Sequence, residues 1–329
     1  MSAVVVLGAG SFGTTLAVHL AVLGHDVRLW GRDREALGTL ERERENRRFL
    51  PGIALPEGVK VRPELGEAVD GAEFHFYVVP SQAVRSVAEQ VTGIGSKGIP
   101  VCASKGLELG TRLRLSQVLT QVTGDGAPVS FMGPSHAEEV AAGVPTTVVA
   151  ASVDEARAQA VQQLVSSPRL RVYTNDDVPG CEMGGALKNV IAIAAGVSDG
   201  LGFGDNTKGA LLTRGLAEIS RLGMALGGRR ETFFGLTGMG DLIATAMSRH
   251  SRNRHVGELL GKGQPLEQVL GGMFMVAEGI HTARVARELG QSRGIELPIT
   301  EQVCAIALEG KDPGAALMTL MTRDLKSES

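Results

Sequence analysis

At 329 residues the chain is long enough for two domains rather than one. Its hydrophobic share of 43% allows a sizeable core, and 33 basic against 36 acidic residues leave a net charge of −3. That balance argues against a general nucleic-acid or membrane-surface partner.

Short apolar, β-rich runs open the chain. Residues 4–7, 27–30, 74–79, 100–103, 129–132, 147–150 and 170–173 read as strands, with helical patterns between most of them. This alternation predicts an α/β, Rossmann-like, doubly wound parallel sheet. Residues 1–7 lack a basic leader and run into a glycine-rich loop, so they read as a first strand rather than a signal peptide. Residues 35–48 carry both charges densely and read as a solvated helix. Pro51-Gly52 marks a turn. After about residue 177 the strand signals stop. Residues 182–195, 208–226, 241–255, 265–270, 277–289 and 299–308 read as helices. The expected division is a dinucleotide-binding domain over 1–178 and an all-α catalytic domain over 179–329. With aromatics at 4% and 44 glycines, those helices are expected to pack closely through small residues. Lys188 and Asp199 flank the apolar stretch 190–197, so no segment is expected to span a bilayer. The three cysteines, Cys102, Cys181 and Cys304, are few and odd in number. Reduced thiols and a cytoplasmic location are the simpler expectation.

Gly8-Ala9-Gly10-Ser11-Phe12-Gly13 is a G-x-G-x-x-G placed between the first strand and the helical pattern 14–23. A plain glycine-rich turn is the bland alternative, but this context is the one a dinucleotide loop requires. Gly8 permits the tight turn, Gly10 admits the pyrophosphate, and Gly13 lets helix and strand pack. The helix N-terminus then meets the phosphate charge. The second strand ends at Trp30-Gly31-Arg32-Asp33. Arg32 suits a 2′-phosphate and favours NADPH. Asp33 keeps NADH open, and Arg32 also fits a plain surface charge.

Several polar residues follow strand ends or interrupt apolar elements. Lys105 follows the strand 100–103, where ligand crevices form; an ordinary loop lysine fits equally well. Ser135 and Glu138 have capping-box spacing. A helix cap and a substrate contact are both open to Ser135, and the neighbouring His136 reads as a bystander or an acid. Lys188 sits in Gly184-Gly185-Ala186-Leu187-Lys188-Asn189-Val190-Ile191, where nearly every neighbour is apolar or glycine. A buried lysine has a lowered pKa and can exchange protons near neutrality; a snorkelling lysine is the alternative. Asp241 fits a helix N-cap or a site carboxylate. Ser251-Arg252-Asn253-Arg254 fits a solvated face or a phosphate anchor. No His or Cys spacing suggests a metal.

Taken together, GAGSFGTTLA, SKGLE, GPSHAEEV, GALKNVIAIAAG, GDNTKGALLTRGLAE, GLTGMGDLIAT and SRNRHVGELL resemble the bacterial NAD(P)-dependent glycerol-3-phosphate dehydrogenase family, in order and over essentially the whole chain. The resemblance implies reversible hydride transfer between C2 of sn-glycerol 3-phosphate and NAD(P), forming dihydroxyacetone phosphate and supplying the phospholipid backbone. It implies Lys188 as the proton acceptor, and Lys105 as a residue that touches substrate and cofactor and polarises the carbonyl. Gly133, Ser135, Asp241, Ser251, Arg252 and Asn253 would surround the substrate, with Arg252 anchoring its phosphate and reaching the cofactor. Ser11, Phe12, Arg32, Ala137, Val276 and Glu278 would line the cofactor. Asn189 and Asp241 are expected to hold the Lys188 ammonium. The expected partners are a small phosphorylated substrate and a second copy of the chain, with no nucleic acid, integral membrane association or metal.

Three rivals remain. A β-hydroxy-acid dehydrogenase also uses a buried lysine, but the basic patch at 251–254 favours a phosphorylated substrate. A sugar-nucleotide dehydrogenase needs a nucleophilic cysteine, and Cys181 lacks an activating setting. A non-catalytic NADPH sensor would not need Lys105, Lys188 and Arg252 together.

Overall fold

The computed structural model describes residues 1–272, 277–325 and 327. The first part runs β1 (Ala3–Leu7), α1 (Ser11–Val22), β2 (Asp26–Trp30), α2 (Arg34–Glu43), β3 (Val59–Val61), α3 (Leu65–Val69) and β4 (Phe74–Tyr77). A 3-10 turn (Ser81–Ala83) leads into α4 (Val84–Ile94), β5 (Ile99–Cys102), α5 (Leu115–Thr123), β6 (Val129–Met132) and α6 (Ala137–Ala141). Then come β7 (Thr146–Ala151), α7 (Glu155–Val165) and β8 (Leu170–Asn175).

The strands form one sheet ordered β3-β2-β1-β4-β5-β6-β7-β8. Chain order reverses between β1 and β4, which opens a crevice at their C-terminal ends. β1 is fully buried after Ala3, as a central parallel strand covered by helices on both faces must be. One expectation needs correction. The sheet is not purely parallel, because β7 runs antiparallel to β6, with Ser130 opposite Ala151. The short α6 and the Gly143 turn return the chain along β6 without a full crossover.

The second part is helical. It comprises α8 (Val178–Gly200), α9 (Asp205–Ala225), α10 (Arg230–Phe233), a π turn (Leu236–Gly240) and α11 (Asp241–Met247). It continues with α12 (Arg252–Gly261), α13 (Leu266–Gly271), α14 (Glu278–Arg293), α15 (Pro298–Glu309) and α16 (Pro313–Met321). α8 is the axis of this layer. Asp177 caps it by accepting from Gly180 N–H at 2.9 Å, and nearly all its side chains are buried. Glycines let α12 cross it at backbone contact. A Cβ on Gly196 would lie 1.9 Å from the Arg254 carbonyl, and one on Gly257 2.0 Å from the Ile193 carbonyl. The close packing expected from the glycine content is realised here.

The segment 241–255 is not one helix. It breaks between α11 and α12, where Ser248 turns extended and the Ser251 hydroxyl starts a new helix by accepting from Arg254 N–H at 3.2 Å. The charged helix over 35–48 ends early, at Arg44 in the left-handed region (φ 53). β3 and α16 carried no strand or helix expectation.

Sheet and helical layer are tied by a buried carboxylate. Glu182 of α8 accepts from the Ser116 N–H at 2.8 Å, the Ser116 hydroxyl at 2.5 Å and the Arg114 guanidinium at 2.6 Å. Removing one partner of a buried, hydrogen-bonded charge strands the other. Glu182→Ala is therefore expected to lower unfolding stability by about 3–5 kcal/mol. Urea denaturation checks this, and a loss below about 1 kcal/mol would contradict the clamp.

Candidate active site

The glycine-rich loop sits in the crevice at the end of β1. Gly8 has φ +126, and a Cβ there would meet the Val78 carbonyl at 2.3 Å. A Cβ on Gly13 would lie 1.8 Å from the Gly8 carbonyl, so α1 can approach the loop only with glycine. Gly10, the N-cap of α1, has open space at its Cβ position, as an approaching pyrophosphate requires. Ser11 opens α1 and its hydroxyl donates to the Phe49 carbonyl at 2.6 Å. Phe12 packs on the sheet core. Ala137 starts α6, and its carbonyl accepts from the Thr15 hydroxyl at 3.0 Å. Arg32 is exposed after β2, whereas Asp33 caps α2 through the Ala36 N–H at 3.0 Å. Asn46 was missed by sequence reasoning. Its amide donates to the Ala9 carbonyl at 3.0 Å and to the Thr14 hydroxyl at 2.7 Å, bracing the loop from above.

Across the crevice, two lysines meet one carboxylate. Lys188 is 5% exposed and Asp241 1%. Lys188 Nζ donates to Asp241 Oδ1 at 2.8 Å and to the Thr245 hydroxyl at 2.6 Å. Lys105 Nζ donates to Asp241 Oδ2 at 2.7 Å and to the Gly133 carbonyl at 2.7 Å. Gly133, with φ +127, turns its carbonyl inward at the end of β6, and the Ser135 hydroxyl donates to that same oxygen at 3.0 Å. Burial pulls the Lys188 pKa down to about 8, against the opposing pull of Asp241 and with help from the charges of Lys105 and Arg252. Burial alone would push Asp241 up, but Lys105 and Lys188 together outweigh it and hold the carboxyl below its usual value. The snorkelling alternative for Lys188 and the loop alternative for Lys105 are both excluded by this triad.

Three expectations change. Ser135 is not the cap of α6; His136 holds that position, without a side-chain bond. Asp241 is not an N-cap; Gly240 precedes it and its oxygens face the lysines. Thr245, one turn along α11, takes the place expected of Asn189 beside the Lys188 ammonium. Thr245 was foreshadowed only by its i+4 spacing from Asp241.

The 251–253 segment splits its roles. Ser251 is buried as the cap of α12, and Asn253 accepts from the Gly279 N–H at 2.9 Å. Arg252 opens α12 at the exposed rim, facing the charges of Glu278 and Glu138. Glu278 begins α14 and reaches across to the sheet. Its carboxylate accepts from the Ser81 N–H at 2.9 Å and from the Ser81 hydroxyl. Val276 lies outside the described residues. His136 Nε2 lies 3.3 Å from the Ala244 carbonyl. Burial, aided by the two lysines, holds its pKa below the ordinary value, so it links β6 to α11 rather than carrying charge. Cys181 is buried and its thiol is pushed up to about 12, mainly by desolvation, which removes the nucleophile a sugar-nucleotide dehydrogenase needs. Among the described residues no group of His, Cys, Asp and Glu could hold a metal, and no helix is long and apolar enough to cross a membrane.

A dinucleotide loop at a sheet switch point, facing a buried lysine whose pKa is drawn down, fits a nicotinamide-dependent oxidoreductase. Comparison with known proteins narrows this. Residues 3–158 match the model of the NAD-dependent glycerol-3-phosphate dehydrogenase N-terminus, and residues 177–318 match its C-terminus. The chain belongs to that family. It is 50% identical over 329 residues to glycerol-3-phosphate dehydrogenase [NAD(P)+] of Pelodictyon phaeoclathratiforme, covering 99% of both chains. It is 51% identical over 321 residues to the Moorella thermoacetica protein of the same name, covering 97% of this chain and 96% of that one. A crystal structure of glycerol-3-phosphate dehydrogenase from Coxiella burnetii superposes with a TM-score of 0.94 at 37% identity, over 98% of this chain and 99% of that one.

Asp241 raises the Lys188 pKa, so its removal has a defined sign. Asp241→Asn is expected to move Lys188 titration further below about 8. Nitrogen-15 NMR of lysine-labelled protein reads this, and an upward shift would refute the triad.

Proposed function

We propose that this chain is an NAD(P)-dependent sn-glycerol-3-phosphate dehydrogenase that interconverts glycerol 3-phosphate and dihydroxyacetone phosphate. The observation that carries the reading is the buried Lys188, held by Asp241 and Thr245 beside Lys105. The residues around Gly8–Gly13 fit a dinucleotide: the loop is open at Gly10, and the first turn of α1 offers its N–H groups. Once bound, the nicotinamide supplies or accepts the hydride at C2.

The protein's own part is proton transfer, orientation and charge. In reduction, the Lys188 ammonium protonates the C2 oxygen as negative charge builds on it. In oxidation, neutral Lys188 takes the proton from the C2 hydroxyl. A pKa of about 8 lets both forms exist near neutrality. Lys105 bonds the other oxygen of Asp241, and we assign to it the polarisation of the substrate carbonyl. Asp241 fixes both ammonium groups and offsets their repulsion. Arg252, at the positive end of α12, anchors the substrate phosphate at the rim. Gly133, Ser135, Ser251 and Asn253 shape the rest of the substrate site, two of them by fixing backbone turns. Ser11, Phe12, Arg32, Ala137, Glu278 and Val276 line the cofactor side.

We favour NADPH, because Asp33 is engaged as a helix cap while Arg32 is exposed beside it. We place the domain division at 178/179, the site in the cytoplasm, and the working form as a homodimer supplying phospholipid synthesis. The β-hydroxy-acid alternative gains nothing from this geometry.

Reduction of dihydroxyacetone phosphate, followed by loss of NADPH absorbance, is expected to fall as pH rises through about 8, and the reverse reaction to rise over the same range. Lys188→Ala is expected to lower kcat about 10²- to 10⁴-fold with cofactor binding retained. Tight cofactor binding by the native chain without turnover of either substrate would overturn the assignment.

A further inference from the structure

The loop between α2 and β3 carries a buried amide whose donors serve another part of the molecule. Residues 44–55 close on bonds of their own. Leu55 N–H donates to the Arg44 carbonyl at 2.7 Å, Gly52 N–H donates to the Glu45 carboxylate at 2.8 Å, and Leu50 is buried as an apolar anchor. Asn46 is 8% exposed, and both of its amide hydrogens leave the loop. They go to the Ala9 carbonyl at 3.0 Å and the Thr14 hydroxyl at 2.7 Å. The partners fix which way the amide points. The Ala9 carbonyl can only accept, and the Phe49 N–H, which reaches Asn46 Oδ1 at 3.3 Å, can only donate.

A third bond completes the grip, from the Ser11 hydroxyl to the Phe49 carbonyl at 2.6 Å. The 46–49 segment therefore holds the dinucleotide loop at Ala9, Ser11 and Thr14, on both sides of the Gly10 N-cap. These residues bracket the first turn of α1, whose N–H groups a pyrophosphate needs. Glycines give that loop its close approach, and they also give it much freedom to lose when a ligand orders it. Bonds that fix the loop before the ligand arrives remove part of that cost.

We propose that Asn46 is a positioning residue for the cofactor, holding the Gly8–Gly13 loop in its phosphate-binding form and so raising dinucleotide affinity. The inference rests on the dinucleotide reading of that loop and not on the identity of the reduced substrate. Asn46 acts through Ala9 and Thr14, because its donors are already spent on them. The chemistry of the position calls for an amide. Aspartate has the same outline and keeps the acceptor for the Phe49 N–H, but ionised it has no donor for the Ala9 carbonyl. It also sets a negative charge beside the pyrophosphate site. Protonated, it regains one donor.

The chain has a single tryptophan, Trp30, whose carbonyl accepts from the Gly8 N–H at 2.8 Å. Quenching of its emission reads NADPH binding to the full-length chain with no substrate present. Asn46→Ala is expected to weaken NADPH binding about tenfold, and to raise the KM for NADPH in step while kcat at saturating cofactor holds. Asn46→Asp is expected to weaken binding about a hundredfold at about pH 8, and to recover most of that loss by about pH 6 as the carboxyl gains its proton. The native chain is the reference at each pH. A general loosening of the fold would not be repaired by acid. If Asn46→Ala fails to fold, Asn46→Asp decides, since it keeps the side-chain volume and the Phe49 bond. Three results would overturn the role: both variants binding NADPH within about twofold of the native chain, an Asn46→Asp deficit equal at the two pH values, or a native chain that binds neither NADPH nor NADH. Binding that depends on Asn46 in this way, without reduction of dihydroxyacetone phosphate, would support the role and overturn only the proposed substrate.

Discussion

Two ammonium groups and one carboxylate share the interior between the sheet and the helical layer, and much of the structure serves to make that arrangement tolerable. A lysine as buried as Lys188 loses most of its hydration, which favours the neutral form. Asp241 restores part of what is lost, through contacts of 2.8 Å to Lys188 and 2.7 Å to Lys105. The balance is deliberately incomplete in physical terms. Full compensation would leave Lys188 a permanent cation. No compensation would leave it a permanent amine. A carboxylate shared between two lysines gives an intermediate result, with Lys188 near 8. The same sharing keeps Asp241 ionised despite its burial.

That triad needs three separate elements to converge, and each is delivered by a local backbone device. Lys105 comes off the end of β5. Its neighbour Gly106 has φ +154, and a Cβ there would strike the Ser81 side chain at 2.8 Å. Asp241 leaves the π turn that joins α10 to α11, and Gly184 of α8 lies close enough to the Thr237 carbonyl that a Cβ would sit 2.7 Å from it. Lys188 itself rides on α8, whose glycines let α12 and the turn approach to backbone distance. Small residues therefore do more than fill space. They set the depth at which a charged group can be buried and still meet its partner.

Much of this was legible in the chain, and the limits have physical causes. The buried strands β1, β4, β5 and β6 declare themselves, because a strand covered on both faces has a largely hydrophobic run. β3 does not: three residues, Val59–Val61, are too few to show a pattern. The direction of β7 is also hidden, since periodicity carries no information about which neighbour a strand pairs with. In the site, Lys188 stands out as a cation in apolar surroundings, and the Gly8–Gly13 loop by its spacing. The Lys188–Asp241 contact spans 53 residues, and nothing in either segment names the other. Side-chain division of labour is less visible still. Ser251 and Asn253 each also hold a backbone N–H, a task their composition does not announce, and Thr245 looks like an ordinary helix residue until α11 turns it toward an ammonium.

The cleft is also framed by contacts that cross it. Glu278 on α14 receives both donors of Ser81 from the sheet side, and Asn253 on α12 holds the Gly279 N–H immediately beyond it. Arg252 lies within the electrostatic reach of Glu278, of Glu138 and of Lys188. The rim and the triad are therefore coupled through charge. An anion arriving at Arg252 would weaken the repulsion that helps depress Lys188, and so raise its pKa. A phosphorylated substrate would favour the ammonium form that protonates the reduced oxygen, whereas an uncharged analogue would not. Recognition of the phosphate at the rim and readiness of the proton at the centre would then arise from one electrostatic field, with no movement of the backbone required.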